Sequence, residues 1–189
     1  MNIQIKKIIL WPLNEKLRYR EIEFVDGMVN VIHGLSQTGK SAIIHIIDYC
    51  LCAGENKIPI GVIRDNVDWF GIILKIDQEE MLLARKNLQN SGFKMCMKQA
   101  TKIIIPDVPN VNVTDKNELK KYLNNLMNIS FFENSNEKSY NNRISFRDLV
   151  AFNFQTQSIV ASANCLLYKS DLAEYRDCLL YTSPSPRDS

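Results

Sequence analysis

The stretch VNVIHGLSQTGKSAIIHIIDYCL, from Val29 to Leu51, contains two glycines, a lysine and a serine at a fixed spacing. Gly34 is followed by four residues and then by Gly39, Lys40 and Ser41, which matches the pattern G-x-x-x-x-G-K-[ST] at every fixed position. Glycines let a backbone turn tightly and direct its N–H groups inward. In this pattern the lysine reaches the β- and γ-phosphates of a nucleotide, and the hydroxyl holds Mg²⁺. The stretch therefore predicts a phosphate-binding loop.

The segments on either side support this prediction. Met28 to His33 is short, apolar and β-branched, which predicts a buried strand. Ser41 to Leu51 predicts a helix that starts at the loop, directs the positive end of its dipole at the phosphates and buries Ile43, Ile44, Ile46 and Ile47. The expected ligands are ATP and Mg²⁺, with Ser41 on the metal. The predicted nucleotide-binding residues are Gly34, Leu35, Ser36, Gln37, Thr38, Gly39, Lys40, Ser41 and Ala42.

The composition sets limits on the class of protein. A chain of 189 residues is long enough for a domain with a core. The net charge of +2 leaves no strong basic footprint for nucleic acid. No apolar run reaches membrane-spanning length and the N-terminus lacks a signal-peptide pattern, so we expect a cytoplasmic protein without a membrane partner. Five irregularly spaced cysteines predict free thiols.

Two strands are predicted before the loop, at Ile3–Pro12 and Tyr19–Phe24. In simple nucleotide kinases and small GTPases the loop usually follows the first strand. Extra strands suit ABC-type ATPase heads, in which an antiparallel layer covers the base of the nucleotide. The predicted fold class is therefore mixed α/β (α+β): a P-loop NTPase of the ABC type with an antiparallel β layer.

The segment from Asp68 to Asn87 imitates a Walker B motif, an apolar strand that ends in a magnesium-binding acid. Lys75 interrupts its apolar run, and an alternating pattern continues after a polar turn, which instead predicts a hairpin with one solvent-facing side. Asp77, Glu79 and Glu80 are then expected to lie solvated in the turn. Gly92–Gln99 predicts a further strand, and Asp115 with Glu118 predicts a capping box that opens a helix.

Three segments together resemble one bacterial family. They are VNVIHGLSQTGKSAIIHIIDYCL, IPIGVIRDNVDWFGI and FNFQTQSIVASANCLLYKSDLAEYR. They resemble the start of the SMC-like (structural maintenance of chromosomes-like) ATPases of three-component ABC systems, relatives of RecN- and RecF-type ATPases. Thr156 stands where this family tends to have proline, a mild departure.

The resemblance implies a Q-loop glutamine that touches Mg²⁺ and the attacking water. Gln155 and Gln157 are the candidates for this catalytic role, and Gln155 is the expected second metal ligand. The alternative is that both glutamines merely end a helix. Arg64 either lies near the nucleotide or is a solvated loop arginine.

The resemblance also implies parts that the chain does not contain: a signature loop, a Walker B strand with its catalytic glutamate, and a coiled coil. We therefore expect residues 1–177 to be the N-terminal lobe of a head, inactive in hydrolysis alone. The expected partners of the whole protein are a second ATPase head, DNA and accessory subunits. Residues 178–189, CLLYTSPSPRDS, resemble translated sequencing adapter and predict a disordered tail, with a natural Pro-rich tail as the alternative.

Two rival hypotheses remain from the sequence. One is a self-contained P-loop kinase or NTPase that uses Asp77 as its magnesium acid. The other is an interaction domain whose phosphate loop is vestigial. A hairpin at Trp69–Arg85 disfavours the first rival, and nucleotide binding excludes the second.

Overall fold

The computed structural model describes residues 2–36, 38–87, 92–127 and Phe146. The chain divides into two compact units, Met1–Leu119 and Lys120–Ser189. The described elements, in chain order, are β1 (Ile3–Pro12), β2 (Arg20–Glu23), α1 (Ala42–Cys50), α2 (Val62–Asn66), β3 (Val67–Ile76), β4 (Glu79–Lys86), β5 (Met95–Ala100) and α3 (Lys116–Leu126).

The strands form one antiparallel sheet in the order β2-β1-β3-β4-β5. The fold is thus mixed α/β with an antiparallel layer, as predicted. The first two predicted strands and the predicted strand near Met95 are all present, with small differences at their ends.

The hairpin prediction is also confirmed. β3 and β4 pair from Trp69–Lys86 to Ile76–Glu79, and Asp77 and Gln78 make the turn between them. Asp77 has a φ of 52°, a left-handed conformation that aspartate tolerates better than most residues.

The predicted solvent-facing side of this hairpin is wrong. Consecutive residues of β3 from Trp69 to Leu74 are buried, and so are Glu80 to Ala84 of β4. Burial at successive positions means that both faces of the sheet are covered, because neighbouring side chains point to opposite faces. The pattern of one continuous apolar run therefore outweighs the interruption at Lys75.

α1 covers one face of the sheet. The Cys50 thiol donates to the carbonyl of Phe70 at 3.2 Å, and the Tyr49 ring meets the Phe70 ring edge-on at 5.9 Å between centroids. Cys50 is fully buried, and this burial raises the pKa of its thiol. Of the cysteines in the described residues, Cys50, Cys52 and Cys96 are thiols that take part in no disulfide, as expected.

The other face is covered by the chain that follows β5. The hydrophobic core on this face contains side chains from four strands together with Ile103. Tyr19 and Ile105 pack against this core. The indole N–H of Trp11 donates to the carbonyl of Pro106 at 2.8 Å, which fixes this crossing segment on the sheet. The members of this core are Ile9, Trp11, Trp69, Ile73, Leu82, Ala84, Cys96 and Ile103.

The prediction of a buried strand at Met28–His33 is wrong. The segment lies outside the described sheet, and Val29 and Val31 are 92% and 77% exposed. A strand requires a neighbour for its N–H and C=O groups, and the described sheet ends at β2 and β5. His33, the last residue of this segment, is exposed as well.

α3 begins as predicted, because the carboxylate of Asp115 accepts the N–H of Asn117 at 2.8 Å. Leu119 and Leu123 form its buried stripe. Further along the helix, the Asn124 side chain accepts the N–H of Phe146 at 2.9 Å.

The prediction that Glu80 lies solvated in the turn of the hairpin is also wrong. Asp77 and Glu79 are exposed as predicted, but Glu80 is buried and paired with Lys6 at 2.5 Å. It also accepts the N–H of Ile103 at 2.7 Å. Burial is the largest effect on this carboxyl and raises its pKa, but the bonds from Lys6 and Ile103 and the charges of Lys6 and Lys102 outweigh it and leave the pKa lowered.

We predict that Glu80→Gln destabilises the protein at neutral pH by about 1–2 kcal/mol, because a charged hydrogen bond is lost in a buried position. A carboxyl with a lowered pKa in the folded state stabilises above its unfolded pKa of about 4.3, and the contribution disappears as pH falls through the folded pKa. Urea unfolding should therefore separate wild type from variant at pH 7 and by a smaller margin at pH 3, below the unfolded pKa of about 4.3. Glu15→Gln, an exposed control, should match wild type at both. A difference that does not change with pH would contradict this role of Glu80.

Candidate functional site

The loop predicted to bind phosphate runs directly into α1. The N–H of Ala42 donates to the carbonyl of Gly39 at 3.0 Å, and that of Ile43 to Lys40 at 3.2 Å, so the first helical turn is built by the loop. Ser41 has helical dihedrals at the N-cap, and its hydroxyl makes no capping hydrogen bond. The Ser41 hydroxyl therefore remains available to a ligand.

Lys40 turns its ammonium group back into the loop. Its Nζ donates to the carbonyl of Gly34 at 2.9 Å and to that of Leu35, and lies 3.4 Å from the Thr38 hydroxyl. These partners are neutral, and in the described part of the chain no carboxylate is in ion-pair contact with Lys40. A cation held by neutral carbonyl and hydroxyl groups is well placed to exchange them for an anion.

Gly39 gives the loop its sharp turn. Its φ is +84°, a conformation that costs a residue with a Cβ energy. A Cβ on Gly39 would also stand 2.9 Å from Cδ1 of Ile63. The loop and the segment before β3 are therefore in direct contact at this position.

An open cleft of about 660 Å³ lies along the loop. Its volume falls within the range of ordinary ligand sites. One side consists of loop and helix residues, namely Ser36, Thr38, Gly39, Lys40, Ser41 and Ala42. The opposite side consists of the apolar residues Pro59, Ile60, Val62 and Ile63, called the apolar wall below.

Arg85 of β4 fixes the far end of α1. Its Nη1 donates to the carbonyls of Tyr49 and Ala53 at 3.0 and 2.8 Å, and its guanidinium lies 4.0 Å from the centroid of the Tyr49 ring. The Tyr49 hydroxyl donates to the carbonyl of Lys86 at 2.7 Å. A cation at the C-terminal end of a helix complements the helix dipole and satisfies carbonyls that lack a helical partner.

No pattern in the sequence predicted this role of Arg85. An arginine near the end of a strand of Met, Leu and Ala residues looks like an ordinary surface residue. The only signal was the helix itself, which ends without a basic residue in its own last turn and so needs a cation from elsewhere.

The structure places most of the predicted loop together. The carbonyls of Gly34 and Leu35 accept bonds from Lys40, Ser36 and Thr38 to Ala42 line one cleft, and Gln37 lies outside the described residues. Gln155 and Gln157 lie outside the described residues too, as does the tail 178–189. In α1, Ile46 and Ile47 are buried as predicted, whereas Ile43 and Ile44 are only half-buried.

Arg64 belongs to α2 and is half-buried. It does not line the cleft, although its neighbours Val62 and Ile63 do. Its Nε is buried without a hydrogen-bond partner in the described structure. Arg64 is thus not a solvated loop arginine, and its place near the nucleotide stays a prediction.

Asp77 lies at a different cleft. This second cleft, of about 430 Å³, is polar and contains the Lys75–Asp26 pair at 2.7 Å. The Asp77 carboxylate accepts the N–H of Asn2 at 2.8 Å. The two clefts share no residue; the second is lined by Asn2, Gln4, Asp26, Gly27, Lys75, Asp77 and Gln78.

Within residues 2–36, 38–87 and 92–127, no three metal-ligating side chains of His, Cys, Asp or Glu come together. None of the helices described is both long and apolar enough to traverse a bilayer.

Comparison with known proteins gives no family assignment. No protein-family model matches the chain, and none of the curated proteins matches it significantly.

We predict that Gly39→Ala lowers the affinity for ATP·Mg²⁺ by about 5- to 30-fold, because the loop must adopt a φ that costs alanine about 1–2 kcal/mol. Isothermal titration calorimetry measures the effect. Gly27→Ala is the matched control, since Gly27 has a φ of +69° but open space around it and lies outside the loop. Equal affinities for the two variants would contradict the role given to Gly39.

Proposed function

We propose that the chain binds ATP with Mg²⁺ through the loop Gly34–Ala42. The observation that carries this proposal is the Lys40 ammonium, which lies inside the loop on the carbonyls of Gly34 and Leu35 and beside the open cleft. The dipole of α1, whose positive end lies at the loop, supplies further attraction for phosphate oxygens.

The residues present fit a magnesium ion bound together with the nucleotide. Ser41 offers an exposed hydroxyl that the helix does not use as a cap. Mg²⁺ takes oxygen ligands and commonly shares them between one protein group and phosphates. Bound there, the ion would neutralise charge on the phosphates; Gln155 is the second ligand proposed from the resemblance.

We further propose that the chain is the N-terminal half-head of an SMC-like ABC ATPase. The antiparallel sheet that accompanies the loop supports this assignment, because an ABC-type head requires such a layer. In this proposal Gln155 or Gln157 orients the attacking water, and the whole protein works in the cytoplasm on DNA, with a second head and accessory subunits.

The structure favours this proposal over a self-contained NTPase with Asp77 as the magnesium acid. β3 pairs with β4 as an antiparallel hairpin, whereas a Walker B strand lies in a parallel sheet. Asp77 lies in the tight turn of this hairpin and lines the cleft that contains no residue of the loop.

We predict that Lys40→Ala weakens the binding of ATP·Mg²⁺ by about tenfold or more, because a charge-assisted contact of about 1.5–3 kcal/mol is removed. Calorimetry on wild type and variant tests this. Lys57→Ala, which removes an exposed lysine that does not line the cleft, is the control and should bind like wild type. Equal binding by wild type and Lys40→Ala would refute the proposed site.

We also predict negligible ATP hydrolysis by this chain, with or without DNA. Phosphoryl transfer depends on a positioned water and on groups that stabilise the developing charge, and this sequence has no signature loop or catalytic glutamate of the ABC type. Phosphate release measured with purified protein is the test. Turnover of about 1 per second that disappears in both Lys40→Ala and Asp77→Asn would instead establish the self-contained NTPase.

A further inference from the structure

The apolar wall is an unusual surface. Ile60 and Val62 are 82% and 83% exposed, although aliphatic side chains of this size gain free energy when they leave water. Both face the cleft that the phosphate loop forms on its other side. Exposed apolar residues that line a ligand-sized cleft next to a polar loop are expected to contact the ligand.

The wall is anchored rather than loose. Ile58, at its start, is buried, and its N–H donates to the Asn56 side chain at 3.1 Å. The Asn87 amide then joins both ends of the wall: it accepts from Asn56 at 3.3 Å and donates to the carbonyls of Arg64 and Val67 at 2.6 and 2.7 Å. Asn87 follows β4, so the wall is tied to the sheet that also holds α1.

The wall also has a fixed shape. Gly61, at its centre, has a φ of +123° and a ψ of −150°, an extended conformation that is strained for residues with a Cβ, and no atom lies within 4 Å of the position of a Cβ. The carbonyls of Gly61 and Val62 already accept bonds, from the N–H of Asp65 and the side chain of Asn66. The wall therefore presents hydrocarbon to the cleft.

We propose that this wall, Pro59–Ile63, receives the nucleobase of the nucleotide by packing alone. This inference rests on the proposed function, because the phosphates fixed by Lys40 and the loop place the remainder of the nucleotide in the same cleft. None of the four side chains of the wall carries a hydrogen-bonding group, so they do not read the edge of a base. The site then accepts purine nucleoside triphosphates as a class and distinguishes ATP from GTP only weakly.

The degree to which the site distinguishes ATP from GTP follows from the type of contact it makes with the base. A site that hydrogen-bonds a defined group on its ligand rejects analogues by about four orders of magnitude or more, whereas apolar packing distinguishes similar ligands by about 10- to 200-fold at most. Adenine and guanine have similar aromatic faces. We therefore expect affinities for ATP and GTP within about fivefold of each other.

The test compares three ligands, each with Mg²⁺, by calorimetry on the full chain: ATP, GTP and inorganic tripolyphosphate, which lacks a nucleoside. Wild type should bind ATP and GTP about tenfold more tightly than tripolyphosphate, because only the nucleotides bury the wall. Ile60→Ser should weaken ATP and GTP by about 3- to 10-fold and leave tripolyphosphate unchanged. Ile104→Ser, which alters an isoleucine of similar exposure outside the cleft, is the matched control and should change none of the three.

Each contrary result has a distinct meaning. Tripolyphosphate bound as tightly as ATP, or an unchanged nucleotide affinity in Ile60→Ser, would overturn the packing site and leave the phosphate site intact. A preference for ATP over GTP above about a hundredfold would overturn recognition by packing alone. Failure of all three ligands to bind would overturn the proposed function and this inference together.

Discussion

The anchoring of α1 on the sheet is the interaction on which the rest of the structure depends. Arg85 reaches from β4 to the carbonyls of Tyr49 and Ala53, stacks on the Tyr49 ring, and so holds the end of α1 that lies farthest from the phosphate loop. The thiol of Cys50 and the hydroxyl of Tyr49 add bonds to the strands beneath. A loop that must present several amides to one anion gains from a helix whose axis does not move.

The same sheet positions the opposite side of the cleft. Asn87 is the residue after β4. Its side chain forms hydrogen bonds with the segments that precede and follow the apolar wall. β4 therefore supports the helix behind the loop through Arg85 and the wall through Asn87. This shared support explains how an exposed loop and an exposed apolar segment keep a defined separation, with Ile63 in contact with the turn at Gly39.

Coverage of the sheet on both faces makes this support rigid. α1 lies on one face, and on the other the crossing segment is secured by Trp11 and by Glu80, which accepts the N–H of Ile103. Gly71 lies beneath the Trp11 ring, where a Cβ would stand 2.5 Å from a ring carbon. Close packing of this kind transmits strain and resists local displacement.

Local pattern predicted the strands and the hairpin well, because alternation and turn chemistry act over a few residues. The failures share a cause, namely that they depend on partners far along the chain. Glu80 is buried because Lys6 and Ile103 reach it, and Met28–His33 is exposed because no described strand pairs with it. Arg85 and Asn87 likewise acquire their roles only when the fold brings α1 and α2 to β4.

The most direct test of the account is an NMR titration of the isotope-labelled chain with ADP·Mg²⁺, followed through backbone amides and methyl groups. We expect the largest shifts at the amides of Gly39, Lys40 and Ser41 and at the methyls of Ile60 and Val62, while Lys75 and Asp77 at the other cleft remain unchanged. Shifts concentrated around Asp26, Lys75 and Asp77, with none in the loop, would contradict it.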